Sequence, residues 1–147
     1  MKKIFLPISI LFALNACKKD RIEPIAAEPV VTKTIVYSIA AVADYTQPYY
    51  NNASAEIKLT LAKQLQNPYR EVTIWDTTFL RRPLALYMQI NPNLITKTIT
   101  GIKDSEDKIA VGYSISYITG PLNAQQFSAY GAVIESGNST HRVPVSL

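Results

Sequence analysis

The chain is poor in the residues that build covalent crosslinks and metal sites, since its 147 residues include one cysteine and one histidine. A single cysteine cannot form an intrachain disulfide, so burial of an apolar core must hold the fold together. A single histidine excludes a site with several histidine ligands. Only five glycines are present, and neither a phosphate-binding glycine loop nor a dinucleotide fingerprint occurs. We therefore expect no cofactor and no metal.

The chain also lacks a strong excess of charge of one sign. Its formal net charge is +4, from 15 Lys and Arg against 11 Asp and Glu. Lys2 and Lys3 lie in the N-terminal leader, and without them the net charge falls to +2. So small an excess does not indicate binding to a polyanion, and we expect no nucleic-acid partner.

Residues 1–16 have the pattern of an export signal. Lys2 and Lys3 precede an apolar run from Ile4 to Leu14. A helix of this length spans only ~16 Å, about half the thickness of a bilayer core. The segment is therefore typical of a signal peptide rather than of a membrane-spanning helix.

The leader ends with the residues Leu14, Asn15, Ala16 and Cys17, which together resemble the lipobox of bacterial lipoproteins. The resemblance implies a lipid thioether on Cys17, cleavage of the chain before it, and acylation of the new amino group. Two or three acyl chains, at ~0.8 kcal/mol for each buried methylene, make a stable membrane anchor. The alternative is an ordinary leader with an incidental cysteine.

The segment after the cysteine begins with two lysines and an aspartate, a start similar to that of lipoproteins from Bacteroidetes-type envelopes. The similarity implies a lipid anchor in the outer membrane of the cell envelope and leaves the periplasmic and surface faces as alternatives. Residues 17–30 contain Pro24 and Pro29 and no hydrophobic periodicity, so they predict an extended spacer of up to ~40 Å. We expect this spacer to hold one domain, residues 31–147, away from the membrane.

From Val31 onward, apolar residues recur at every second position, which predicts β-strands with one buried face. The predicted strands are Val31–Ala41, Glu56–Leu65, Glu71–Leu80, Leu84–Ile90, Leu94–Ile102, Lys108–Ile118, Ala129–Glu135 and Arg142–Ser146. Turn-forming Pro, Asn, Asp and Gly residues separate them. The spacing predicts an all-β fold, an antiparallel β-sandwich of seven or eight strands, which is immunoglobulin-like at the level of strand count.

Two segments carry a competing helical pattern. In Ala53–Leu65 the apolar residues are also spaced by four, but the strict alternation favours a strand. In Leu122–Phe127 we predict a short helical turn. Trp75 lies in the middle of a predicted strand, and we interpret it as a core residue of the sandwich, with a ligand platform as the alternative.

A loop with three tyrosines is the best candidate for a binding site. Tyr45, Tyr49 and Tyr50 lie close in sequence to Asp44 and Asn51. Aromatic faces beside a carboxylate and an amide can stack on a sugar ring and hydrogen-bond to it, or they can anchor a protein partner. The alternative is that the tyrosines fold back over the end of the sandwich.

Other motifs are weaker indications of function. Asp76, Thr77 and Thr78 resemble a short O-glycosylation sequence of Bacteroidetes-type exported proteins, with Thr77 as acceptor, and this requires an exposed hydroxyl. His141 has no recognisable nucleophile or orienting acid in the sequence, and the turn at 104–107 lacks the spaced ligands of a calcium loop. We assign no catalytic residue, and we expect that the chain is not an enzyme.

Three functional hypotheses fit this pattern. The first is a non-catalytic binding or accessory module, tethered to the outer membrane, which presents one end of the sandwich to an envelope protein or a glycan. The second is a structural envelope component that assembles through sheet edges, with Val31–Ala41 as the natural edge strand. The third is a small hydrolase with an unrecognised site.

Replacement of Cys17 tests the lipid anchor. Without the thiol no thioether forms, so we expect Cys17→Ala to abolish incorporation of a labelled fatty acid and to release the protein from the membrane fraction. Ser9→Ala, in the same leader, is the matched control and should keep the label. A lipid label that persists in Cys17→Ala would contradict the prediction.

Overall fold

The computed structural model describes residues 27–66, 68–119, 124–134, 136–137 and 139–147. The predicted signal peptide, Cys17 and most of the predicted spacer lie outside these residues. Within them the fold is all-β, with seven strands in two sheets, so the predicted β-sandwich is confirmed. In this part of the chain, no helix is both long enough and apolar enough to cross a membrane.

Alternation of apolar and polar side chains produces the strands. They are β1 (Val31–Ala40), β2 (Ser54–Gln66), β3 (Tyr69–Pro83), β4 (Asn93–Ile102), β5 (Asp107–Thr119), β6 (Ala124–Val133) and β7 (Ser139–Ser146). Single turns of 3-10 helix at Pro48–Tyr50 and Leu84–Leu86 interrupt two of the loops. The segment with a competing helical pattern, Ala53–Leu65, forms most of β2, as the alternation predicts.

Sheet A has the strand order β4-β1-β7, and sheet B has the order β3-β2-β5-β6. Neighbouring strands are antiparallel except for β1 and β7, which run parallel. Constant-type immunoglobulin domains also have one sheet of four strands and one of three, but different strands share each sheet, so the likeness to them is confined to strand numbers. The first and last strands of this chain thus lie side by side.

The predicted strand Leu84–Ile90 is wrong. The chain instead turns at Leu84–Leu86, where the Leu84 amide donates to the Ala53 carbonyl and the Tyr87 amide donates to the Leu84 carbonyl. Leu84 and Tyr87 are buried, whereas Leu86, Met88 and Ile90 are exposed, so the alternation of apolar residues in this segment does not mark a buried sheet face.

Two further expectations are wrong. A helical turn does not form over the described part of Leu122–Phe127, because β6 begins at Ala124 and its ladder with β5 continues through Phe127. Val31–Ala41 is not an edge strand, because β1 lies at the centre of sheet A, between β4 and β7. A strand paired on both sides has no free row of backbone groups to offer for assembly.

The core fills the space between the two sheets. Its largest fully buried apolar side chains are Tyr37, Ile35, Ile57, Leu59, Leu61, Ile109, Val111, Ile115, Val143 and Val145. The Tyr37 hydroxyl donates to the Thr60 carbonyl at 2.6 Å and thereby joins sheet A to sheet B. Burial raises the pKa of Tyr37 to about 12, so the phenol keeps the proton that this bond requires.

One charged side chain, Lys33, is 1% exposed in the core-facing row of β1. Its ammonium lies 2.9 Å from the Asp104 carboxylate and donates to the Gly137 carbonyl at 3.0 Å. The Gly137 amide donates in turn to the Asp104 carboxylate. These contacts neutralise a buried cation, and they tie β1 to the β4–β5 turn and to the β6–β7 loop.

The sandwich has two ends with different contents. At the near end, where β1 begins, the Glu28 carboxylate accepts hydrogen bonds from the amide and the hydroxyl of Ser105. At the far end, where β1 finishes at Ala40, lie the loops 41–53 and 84–92. The ten residues of β1 separate the two ends by ~33 Å.

Gly112 on β5 has no room for a side chain. A Cβ at this position would lie 2.9 Å from the Thr60 Oγ1 and 3.0 Å from the Tyr130 carbonyl oxygen, so an alanine forces the Thr60 side chain and the backbone at Tyr130 to shift. We expect Gly112→Ala to lower the free energy of unfolding by about 1–3 kcal/mol in urea denaturation. Gly131→Ala is the matched control, since the nearest atom to its Cβ would be 4.0 Å away. Equal effects of the two substitutions would contradict this reasoning.

The Gly137 amide and the Lys33 ammonium hold the pKa of Asp104 below its ordinary value. The carboxylate therefore stabilises the fold above its ordinary pKa, and this contribution is lost as the pH falls through the lower pKa of the folded state. We expect Asp104→Asn to be less stable than the wild type at neutral pH and to lose less additional stability on going to about pH 3.

Urea denaturation at the two pH values measures this difference. Asp76→Asn is the matched control, because Asp76 forms a half-exposed ion pair with Lys58, a type of pair that contributes little to stability. If Asp104→Asn and the wild type lost stability in parallel between the two pH values, the assigned role of the Asp104 carboxylate would be wrong.

Candidate functional site

The five residues predicted to bind a ligand all lie in loop 41–53 at the far end of the sandwich. They are Asp44, Tyr45, Tyr49, Tyr50 and Asn51. The loop is fastened by its backbone, since the Ala41 amide donates to the Met88 carbonyl at 3.2 Å and the Val42 amide donates to the Leu147 carbonyl at 2.9 Å. The first bond brings loop 41–53 against loop 84–92, and the second ties it to the residue after β7.

The three tyrosines form one cluster of edge-to-face contacts. The ring centroids of Tyr45 and Tyr50 are 4.9 Å apart, and those of Tyr49 and Tyr50 are 5.1 Å apart. Tyr45 and Tyr50 are half-buried and pack against the core, whereas Tyr49 is 88% exposed. Burial, with a smaller effect of Tyr50, raises the pKa of Tyr45. Two rings therefore fold back over the sandwich, and one faces solvent.

Local hydrogen bonds shape the loop that carries this cluster. The Asp44 carboxylate accepts the Thr46 hydroxyl at 2.6 Å and the Thr46 amide at 3.0 Å, which is an Asx turn. The same two donors lower the pKa of Asp44. One turn later, the Tyr50 amide donates to the Gln47 carbonyl and closes the 3-10 turn that places Tyr49 at the surface.

A pocket of about 400 Å³ opens between loop 41–53 and loop 84–92. Its apolar wall is formed by Tyr45, Tyr87, Met88 and Ile90. Its polar groups come from Asp44, Thr46, Gln89 and Asn91. Two of the predicted residues, Asp44 and Tyr45, thus line the pocket, while the other three lie elsewhere in the same loop.

Large apolar side chains close to the pocket are exposed to solvent. Ile90 is 89% exposed and Met88 is 61% exposed, and Val42 and Leu86 are similarly uncovered. A cluster of exposed apolar residues is typical of an interaction site. Sequence reasoning missed this half of the site because Leu84–Ile90 was predicted as a strand, with a turn only after it at Asn91 and Pro92.

Tyr87 forms the floor where the pocket meets the core. Its side chain is buried, and its hydroxyl has no hydrogen-bond partner among the described residues. Burial raises the pKa of this phenol, and the nearby Arg82 lowers it to a smaller extent. A buried hydroxyl without a partner destabilises the fold, so a small shift that brought it an acceptor would be favourable.

Trp75 is a core residue at the side of the sandwich rather than at its centre. It is half-buried on the core-facing side of the edge strand β3, with its ring 6.2 Å from that of Tyr37. The Lys97 ammonium lies 5.7 Å from the ring centroid, within the range of a cation–π interaction. Its surroundings are those of a packed residue.

The remaining predicted residues lie apart from the far-end pocket. Thr77 pairs in register with Leu59, so its half-buried side chain lies on the core-facing side of β3. His141 lies on β7, where it pairs in register with Ile35 of β1. No three His, Cys, Asp or Glu side chains within the described ranges come close enough together to hold a metal ion.

Comparison with known protein families, with curated proteins and with solved structures finds no match to this chain. The site must therefore be interpreted from its own geometry. That geometry offers an exposed aromatic face, an apolar pocket and a few hydrogen-bonding groups, which are the elements of recognition sites.

Proposed function

We propose that this protein is a lipid-anchored envelope lipoprotein whose β-sandwich binds a partner protein at its far end, without catalysis. The observation that carries the proposal is the apolar pocket between loops 41–53 and 84–92, with Met88 and Ile90 exposed beside it. Apolar surface left in water is unfavourable, and a partner that covered it would gain binding free energy from its burial.

The position of the pocket relative to the start of the domain supports this proposal. A lipid on Cys17 would connect to the domain through the residues that precede β1, and Glu28 is hydrogen-bonded to Ser105 at the near end. The pocket lies at the opposite end, ~33 Å away along β1. An anchored domain would therefore present the pocket away from the membrane.

The apolar character of the site favours a protein over a glycan. Leu86, Met88 and Ile90 are all exposed, and methionine and tyrosine are enriched where proteins meet. Glycan recognition depends more on free polar groups, and the Asp44 carboxylate is already engaged by Thr46. A glycan is the alternative ligand, and Tyr49 would then be its stacking surface.

Photo-crosslinking from position 90 tests the proposal. The full chain, with a photoreactive residue in place of Ile90, is expressed in the cells from which it comes. Irradiation should then give one discrete adduct with an envelope protein. The matched control carries the same photoreactive residue at Thr73, which is exposed on the edge strand β3, and should not give that adduct.

A binding measurement with the purified partner gives the second readout. We expect Met88→Ser combined with Ile90→Ser to weaken binding at least ~10-fold, because these side chains supply the apolar contact. Far-UV circular dichroism should show that the fold is unchanged. The same adduct from both positions, or an unchanged affinity, would overturn the proposal. Glycan-array binding that Tyr49→Ala abolishes would replace the protein partner by a glycan.

A further inference from the structure

Among the described strands, four have a free edge, namely β4 and β7 in sheet A and β3 and β6 in sheet B. A free edge exposes backbone amides and carbonyls that can pair with another strand. Proteins block such pairing with charged residues, prolines, β-bulges or charges that point inward. The four edges of this sandwich differ in how well they are blocked.

Three of the edges carry blocking features. The pairing of β3 with β2 contains two register shifts, and β3 carries several charges, among them Asp76 and Arg81. β4 directs Lys97 toward the core side of its sheet. β7 contains Arg142 and Pro144. A partner strand would meet an irregular ladder, a charge or a missing amide at each of these edges.

The fourth edge, β6, has none of these features. Its sequence contains no charged residue and no proline, and its ladder with β5 runs from Ala124 to Val133 without a register shift. Phe127 is 69% exposed, and Tyr130 and Val133 are also exposed. A regular, uncharged edge with exposed apolar side chains is the kind of surface to which a further strand adds.

The backbone groups that β6 leaves free can be identified from one hydrogen bond. The amide of Ile134, directly after β6, donates to the Ile109 carbonyl of β5 at 2.8 Å. Because successive residues of a strand direct their backbone groups to opposite sides, the even-numbered residues of β6 face β5. The odd-numbered residues, from Phe127 to Val133, therefore face the free edge.

We propose that a second copy of this chain binds at this edge, by antiparallel pairing of β6 with β6 about a two-fold axis at Ala129. Among the residues whose backbone groups face the free edge, Ala129 is the one nearest the middle of the strand. Pairing centred there forms about six backbone hydrogen bonds between Phe127 and Gly131 of the two copies. No like charges oppose each other, since β6 has no charge.

The side chains that meet across this axis are complementary in size. Phe127 of one copy lies opposite Gly131 of the other, on the outer face of sheet B. That face contains a groove of about 430 Å³, whose lining includes the small residues Ala110, Gly112 and Gly131. An aromatic ring opposite an edge glycine covers the exposed backbone. Because β6 itself carries both the ring of Phe127 and the glycine beside the groove, a second copy of the chain fits this edge better than an unrelated strand does.

Cysteine crosslinking tests the axis directly. In the full chain carrying Cys17→Ser and kept in mild detergent, Ala129→Cys would place two Cα atoms about 5.5 Å apart, within the range of a disulfide. We expect mild oxidation to give a covalent dimer. Thr73→Cys, on the exposed face of β3, is the matched control and should remain monomeric.

A charge at the axis gives an independent readout. Ala129→Lys opposes two ammonium groups across the pair and changes a residue that is exposed in the single chain, so the monomer should fold normally. We expect the dimer dissociation constant, measured by analytical ultracentrifugation, to rise at least ~10-fold, while Thr73→Lys leaves it unchanged. A wild-type chain that stays monomeric, or an Ala129→Cys chain that crosslinks no faster than Thr73→Cys, would overturn the proposal.

Discussion

Sheet A depends on its central strand, β1, because β1 is hydrogen-bonded to a neighbouring strand on each side. β4 lies antiparallel on one side and β7 lies parallel on the other, so neither would belong to a sheet without it. The same strand places Ile35, Tyr37 and Ile39 in the core and Lys33 in the buried ion pair. Without β1, the apolar face of sheet B would have nothing to cover it, and the sandwich would not exist.

This arrangement gives different parts of the surface different chemistry. The near end is polar and ionic, with Asp104 and Glu28 holding loops in place. The far end is apolar and aromatic, with the pocket beside Tyr45. The edge of β6 is neutral and regular. A partner at the far end and a second copy at β6 would meet different surfaces of the molecule, so the two proposed interactions are compatible.

The strands were predictable where the signal is local. Alternation through Ile35, Tyr37 and Ile39 marks a strand with one buried face, whatever its neighbours are. Strand pairing was not predictable, because no local pattern shows that β1 is central. For the same reason, only one of the two loops that form the site was predictable. The aromatic composition of Tyr45 and Tyr49 marked one loop, whereas the pocket also requires the second loop, which a long-range bond from Ala41 to Met88 brings into place.

The parallel pairing of the first and last strands also determines the order in which the chain can fold. Lys33 and Gly137 are joined by a hydrogen bond although 104 residues separate them in sequence. Contacts of such long range close slowly, since the entropy of the intervening chain must be lost first. Sheet A cannot be completed until β7 is available. If the chain is exported behind its predicted signal peptide, sheet A therefore stays incomplete on the far side of the membrane until β7 has crossed.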